Sequence, residues 1–360
     1  MYRKDAEKGG LNIIMYVNPE ILRLLQNEIN SDHFNPESIG LDAQGSTLVI
    51  TLALKNGAKS NMQKDSACFE GWAIILKTYV MDKNPKTYDR VKLCCPNITL
   101  PSETDEGRFH FKRFLYRVLR FNEQYDWFTI DDKLADIITS SFKPLLQKHL
   151  VNNYPKSKAK GFNNNDKPSE HIIECILSKK ATQNNGKTLH TYFDKLGVPN
   201  DDLIIDHQLP VGLFKDEISK ATKVFTGGKS ALDLWGFSNA KPNDFYLFEL
   251  KYNNQMIGTI TEAFFYANYM HDLLDINGAF TLSDNGKDNF RNYSTIYSLK
   301  DKDINRIHAV MLLDKGSMHP SITPKLLAVL NQSNQKAIEY SLAEYEFDEA
   351  KRIITDIGPK

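Results

Sequence analysis

Apolar residues recur along this chain with two periods, and the switches between them mark out its elements. Asn18-Pro19-Glu20, a polar cap followed by a proline and an acid, precedes Ile21, Leu22, Leu24 and Leu25, which predicts the start of a helix. Ser46 to Leu54 (STLVITLAL) is β-branched and alternating, so it reads as a strand, and Arg90 to Cys95 (RVKLCC) reads as another before the breaker from Pro96 to Pro101. Between His110 and Tyr125 the helical period returns. Phe111, Phe114, Leu115, Val118 and Phe121 make an apolar face, while Arg113, Arg117 and Arg120 gather opposite them. That cationic face is expected to be solvated, with phosphate contact as the alternative. Asp132 to Leu150 predicts a further helix, broken just before Pro144.

The second half repeats the pattern with tighter punctuation. Ser169 is placed to cap a helix carrying Ile172, Ile173, Ile176 and Leu177. Asp206 to Phe214 (DHQLPVGLF) is expected to be a first strand bordering a cleft. Ser230 to Phe237 (SALDLWGF) and Phe245 to Lys251 (FYLFELK) read as strands joined by the turn-forming Ser238 to Asp244, a hairpin. Ile257 to Leu274 then predicts a helix and Arg306 to Leu313 a strand. Ile322 to Asp348 is expected to form a helix followed by an alternating segment that extends the sheet.

With 360 residues, 41% hydrophobic and 25% charged, the composition is that of a globular protein, and it excludes disordered and collagen-like chains. At roughly 150 residues per domain, two domains are expected. Asn152 to Pro168 (NNYPKSKAKGFNNNDKP) has too few apolar residues to bury its own surface, so the boundary is set there. This gives an N-terminal α+β domain over 1–152, which would position nucleic acid or a partner, a linker over 153–168 and a second domain over 169–360. The 45 basic residues balance 45 acidic ones, so any nucleic-acid surface must be a local patch. The charged start MYRKDAEKGG and the lack of a long apolar run predict a cytoplasmic protein with no membrane partner. Cys68, Cys94, Cys95 and Cys175 lack metal-ligand spacing and are read as buried thiols. No His-x-x-x-His pair or nucleophile elbow supports a zinc or serine hydrolase.

The chemistry converges on the hairpin. Side chains alternate across a strand, so Glu249 and Lys251 share one face while Phe248 and Leu250 point the other way. Charges at the end of an apolar strand cost desolvation energy unless they are paired, solvated or bound to an ion. In the register the alternation suggests, Asp233 on the preceding strand meets Glu249, with Lys251 beside them. Two carboxylates suit Mg²⁺ (or Mn²⁺), so Asp233 and Glu249 are the expected metal ligands, and Lys251 would orient the attacking water or stabilise phosphoryl charge. The alternative for Glu249 and Lys251 is a surface ion pair worth about 0.2 to 1 kcal/mol.

Asp233, followed sixteen positions later by Glu249-Leu250-Lys251, resembles the PD-(D/E)xK nuclease superfamily. The resemblance spans Ser169 to about Leu313 and is sharpest from Ser230 to Tyr266; Leu232 stands where that superfamily often has proline. It implies an α/β core (α+β overall) of the restriction-endonuclease-like type, with a mixed central sheet flanked by helices in the order helix, three strands, helix, strand. It also implies a Mg²⁺-dependent nuclease hydrolysing phosphodiester bonds, DNA ahead of RNA. The alternative is an inactive nuclease-fold binding or assembly module. Glu262 and Tyr266, four apart on the following helix, stand where some branches carry a Gln-x-x-x-Tyr pair, which gives Glu262 an auxiliary catalytic role or leaves it a solvent-facing acid. Either Glu174 or Asp206 would be the additional acid that the superfamily often places on its first helix. Gly227-Gly228-Lys229-Ser230 has the letters of a phosphate-loop tail, but Lys223 replaces the required glycine and a strand follows, so a turn is expected.

Overall fold

A computed structural model describes residues 15–29, 39–52, 62–64, 67–102, 104–163, 165–182, 185–200, 203–225, 230–238, 243–275, 278–284 and 290–360. The N-terminal MYRKDAEKGG, the end of the strand expected to reach Leu54, most of the Ser238 to Asp244 turn and Gly227-Gly228-Lys229 lie outside the described residues.

Helix α1 (Pro19–Ile29) begins where the cap predicts, with Asn18 Oδ1 accepting from the Glu20 amide at 3.0 Å. Strands β1 (Ile39–Gln44), β2 (Thr47–Leu52), β3 (Arg90–Cys94) and β4 (Phe128–Ile130) form a mixed sheet in that order, with β1 and β2 antiparallel and the other pairs parallel. Helices α2 (Phe69–Leu76) and α3 (Arg108–Gln124) pack with it. The helix expected from Asp132 is divided into α4 (Asp132–Ile137) and α5 (Lys143–Leu146) by a π turn over Ile138–Phe142. Pro144 has no N–H to give to the carbonyl four residues back, which accounts for the break. The helix also stops short of Leu150, which opens β5 (Leu150–Asn152), so the connector starts one residue later than its composition suggests.

Helices α6 (Glu170–Leu177) and α7 (Leu189–Lys195) follow. The chain then lays down β6 (Leu203–Pro210), β7 (Leu213–Lys215), β8 (Lys223–Phe225), β9 (Ala231–Ser238) and β10 (Asp244–Lys251). Helix α8 (Gly258–Leu274), helix α9 (Tyr293–Ser298), β11 (Arg306–Asp314), helix α10 (Pro324–Leu330), β12 (Ile338–Asp348) and β13 (Ile353–Pro359) complete it. The central six-stranded sheet has the order β13-β12-β11-β10-β9-β6. β6, β9 and β10 pair antiparallel, β10, β11 and β12 pair parallel, and β13 returns antiparallel. β5, β7 and β8 form a small separate sheet. The architecture is mixed α and β with mixed sheets.

Strand β10 explains how the layers stack. Its Phe245 and Leu247 enter one hydrophobic cluster with Phe264 and Tyr269 of α8, while Tyr246, Phe248 and Leu250 enter another with Ile173 of α6 and Phe193 of α7. Both faces of the strand are therefore covered, which is why it reads as a nearly continuous apolar run. The first cluster runs from Ile21 to Leu342 and draws on residues either side of 153–168. No described helix is long and apolar enough to cross a membrane.

The cationic face expected on α3 is corrected: Arg113 and Arg117 are buried, and neither is solvated or free to meet phosphate. Arg117 Nε donates to Glu70 Oε1 of α2 at 2.7 Å, and its Nη2 pairs with the other carboxylate oxygen. Arg120 Nη2 reaches Asp272 Oδ2 of α8 at 2.7 Å. Acids from other helices thus turn a charged face into an inter-helix seam. Of the four thiols, Cys68, Cys95 and Cys175 are buried and Cys94 is half-buried.

Candidate active site

The site lies where β9 begins and β10 ends, beside the start of α8. Leu234 pairs with Phe248 in the antiparallel ladder, so the same register puts Asp233 opposite Glu249. The Asp233 carboxylate turns toward the neighbouring strand and accepts from the Leu250 amide at 3.0 Å. Glu249 and Lys251 share a side, as alternation requires, and the Lys251 ammonium pairs with Glu249 Oε1. The same ammonium lies 3.1 Å from Glu262 Oε2 and donates to the Leu250 carbonyl at 2.9 Å. Asp233, Glu249, Lys251 and Glu262 are therefore brought together. The reading of Glu249 and Lys251 as a surface pair fails, because they are 3% and 1% exposed. Glu262 is likewise buried, not solvent-facing.

Two further acids come from α6, one helical turn apart. Glu170 Oε1 accepts from the Tyr252 amide at 3.3 Å. Glu174 accepts from the side-chain amide of Gln208 and is close enough to act electrostatically on Asp233 and Lys251. Gln208 stands in β6 at the register position opposite Asp233, between the pairs His207–Leu234 and Leu209–Leu232. Its φ of 56° lies in the left-handed region, a costly conformation for a residue with a side chain and one that tends to collect at functional sites. Asp206 takes no part here: it binds His207 Nδ1 at 3.1 Å and Asn292 Nδ2 at 2.8 Å.

Sequence reasoning missed two contributors. Gln63, from a short turn in the N-terminal half, donates its Nε2 to Glu262 Oε2 at 3.0 Å across 199 residues of chain. Nothing in the periodicity around it could have shown this. Arg113 is held by burial to a pKa of about 10, and its charge acts on Glu262 and Tyr266. Its place on the opposite side of α3 from the apolar stripe was visible, but the partner was not.

The electrostatics are lopsided. Glu249, Glu262, Asp233, Glu170 and Glu174 all act on the single Lys251 ammonium. Burial works against the lysine's charge, yet Glu249, Glu262 and Asp233 outweigh it and hold the group well above the ordinary lysine range. Burial first, with the charge of Glu174 against the opposing Lys251, pushes Asp233 well up. Burial, then Asp233 and Glu262, does the same to Glu249. Glu174 is pushed up to about 7, chiefly by burial. Such an arrangement favours an added cation or proton. Glu249 Oε2 is buried with no hydrogen-bond donor among the described residues, and the Glu262 carboxyl beside Glu249 helps to raise its pKa.

Among the described residues, no group of three or more His, Cys, Asp or Glu side chains is arranged to hold a metal ion. Two carboxylates suffice for Mg²⁺, which usually keeps several waters and completes its shell with substrate phosphate oxygens. Asp233 and Glu249 would meet that requirement through the orphaned Oε2 and the surrounding acids. No protein-family model, curated protein or solved structure matches the chain.

Proposed function

We propose that this chain is a Mg²⁺- or Mn²⁺-dependent nuclease that hydrolyses phosphodiester bonds, DNA ahead of RNA, and works in the cytoplasm. The observation that carries the reading is the register of β9 on β10, which sets Asp233 across from Glu249 with Lys251 on the same side. The element order α6, β6, β9, β10, α8, β11 supports a restriction-endonuclease-like core of the PD-(D/E)xK kind. Asp233 and Glu249 would hold the ion. The chemistry it would supply is polarisation of a phosphoryl oxygen and acidification of a bound water. Lys251 would orient the attacking water or stabilise the negative charge that builds on the phosphoryl oxygens. Glu262, tied to both Lys251 and Gln63, holds the ammonium in place.

The depth of the cluster favours a second reading. With Lys251 at 1% exposure, the same residues could serve as a structural ion cluster in a nuclease-fold binding or assembly module. Incubation with single- and double-stranded DNA and RNA separates the two. The nuclease reading expects cleavage that stops with EDTA, returns with Mn²⁺ and is lost in Asp233→Ala and Lys251→Ala proteins whose circular dichroism is unchanged. Full cleavage by both variants removes the site, and no cleavage of any substrate by the unaltered protein leaves the binding module.

A further inference from the structure

Next to Glu174 on α6, a thiol meets a histidine backed by a carboxylate. Cys175 Sγ lies 3.8 Å from His207 Nε2, and His207 Nδ1 lies 3.1 Å from Asp206 Oδ1. Asp206 is itself fixed, since its other oxygen accepts from Asn292 Nδ2 at 2.8 Å and its Oδ1 also accepts from the His207 amide at 2.7 Å. With Nδ1–H given to the carboxylate, Nε2 is the nitrogen that faces sulfur. Two other groups surround the thiol: the Lys160 carbonyl at 3.4 Å, which can accept the S–H, and His171 Nε2 at 3.9 Å. The His171 side chain is more than a third exposed, so the cluster has a wet edge beside a cysteine that is 7% exposed.

We propose that Cys175 is a peroxide-oxidisable thiol, with His207 as the proton donor to the departing oxygen and Asp206 as the residue that orients His207. In the reacting form sulfur is the thiolate and its proton is on His207 Nε2. The sulfur lone pair attacks one oxygen of hydrogen peroxide, the S–O bond forms and the O–O bond breaks. The electron pair of that bond leaves on the distal oxygen, which takes the Nε2 proton and departs as water. Sulfur is oxidised to sulfenic acid, peroxide is reduced, and the imidazole regains its proton from solvent. Burial opposes the imidazolium, but Asp206 and Cys175 outweigh it and raise His207 to about 9, so the proton is on hand at neutral pH. The proposal stands or falls independently of any nuclease activity.

Cys94 supplies the control. It is more exposed than Cys175, but burial and Asp131 raise its pKa, and its electrostatic neighbours are Asp131 and Lys92, not a histidine. Exposure alone would make Cys94 react first. The unaltered chain treated with hydrogen peroxide and a dimedone-type trap, then mapped by mass spectrometry, should carry the adduct first on Cys175. His207→Gln should slow that adduct at least about tenfold and Asp206→Asn by a smaller factor, with the Cys94 rate unchanged. Trapping at Cys94 before Cys175, or an unchanged rate in a folded His207→Gln protein, overturns the proposal. If that variant does not fold, the order of trapping in the unaltered protein decides.

Discussion

Gln208 donates its side-chain amide to Glu174, fastening the first helix of the second half to the first strand of the central sheet. The bond is reached from a left-handed backbone at Gln208, directly across the ladder from Asp233. It places a buried carboxyl beside an already acidic cluster, and the consequences are measurable.

Burial raises Glu174 from 4.5 to about 7. An acid whose pKa is raised on folding binds its proton more tightly in the folded state. Its contribution is therefore fully present below pH 4.5 and is lost as the pH rises to about 7. The loss is on the order of 3 kcal/mol for a shift of this size. Glu174→Gln should remove the dependence. Melting temperatures from pH 5 to 8 should show the unaltered protein falling relative to the variant, and parallel curves would contradict the assignment.

The Glu70–Arg117 pair is a second buried charge system. Glu70 is fully buried, and its Oε2 also accepts from Thr261 Oγ1 at 3.0 Å, so α2, α3 and α8 share one carboxylate. Glu70→Gln should cost about 3 to 5 kcal/mol, because it strands a guanidinium that burial has stripped of water. Urea unfolding would measure this, and a loss below about 1 kcal/mol would mean that Arg117 finds another partner.

Gly258 opens α8 against the turn that carries Gln63. A Cβ there would sit 2.2 Å from the Gln63 Cα and 2.3 Å from its carbonyl oxygen, neither of which is a flexible side-chain end. Gly258→Ala should therefore destabilise the protein by about 1 to 3 kcal/mol and push Gln63 away from Glu262. An unchanged unfolding midpoint would show that the turn yields freely.

The parts of the fold written in local periods were legible. β9, β10, α8 and β11 follow from alternation, turn residues and helical spacing, and the pairing of Asp233 with Glu249 follows from the same alternation. What failed was each judgement about the far side of a side chain. Arg117 and Arg120 read as solvated because Glu70 and Asp272 lie 47 and 152 residues away. The alternatives that left Glu249 and Lys251 as a surface pair and Glu262 as a solvent-facing acid fail for the same reason, since the elements that cover them come from both halves of the chain. The choice between Glu174 and Asp206 turned on which way α6 presents the one and β6 the other, and the distortion at Gln208 has no signature in composition or period.

The central claim is that Asp233 and Glu249 jointly bind a divalent cation, and isothermal calorimetry with Mn²⁺ tests it without reference to any substrate. The unaltered protein should bind the ion in a saturable manner, and Asp233→Asn combined with Glu249→Gln should abolish the heat while leaving the melting transition in place. Absence of binding by the unaltered protein, or equal binding by the folded double variant, would contradict the account.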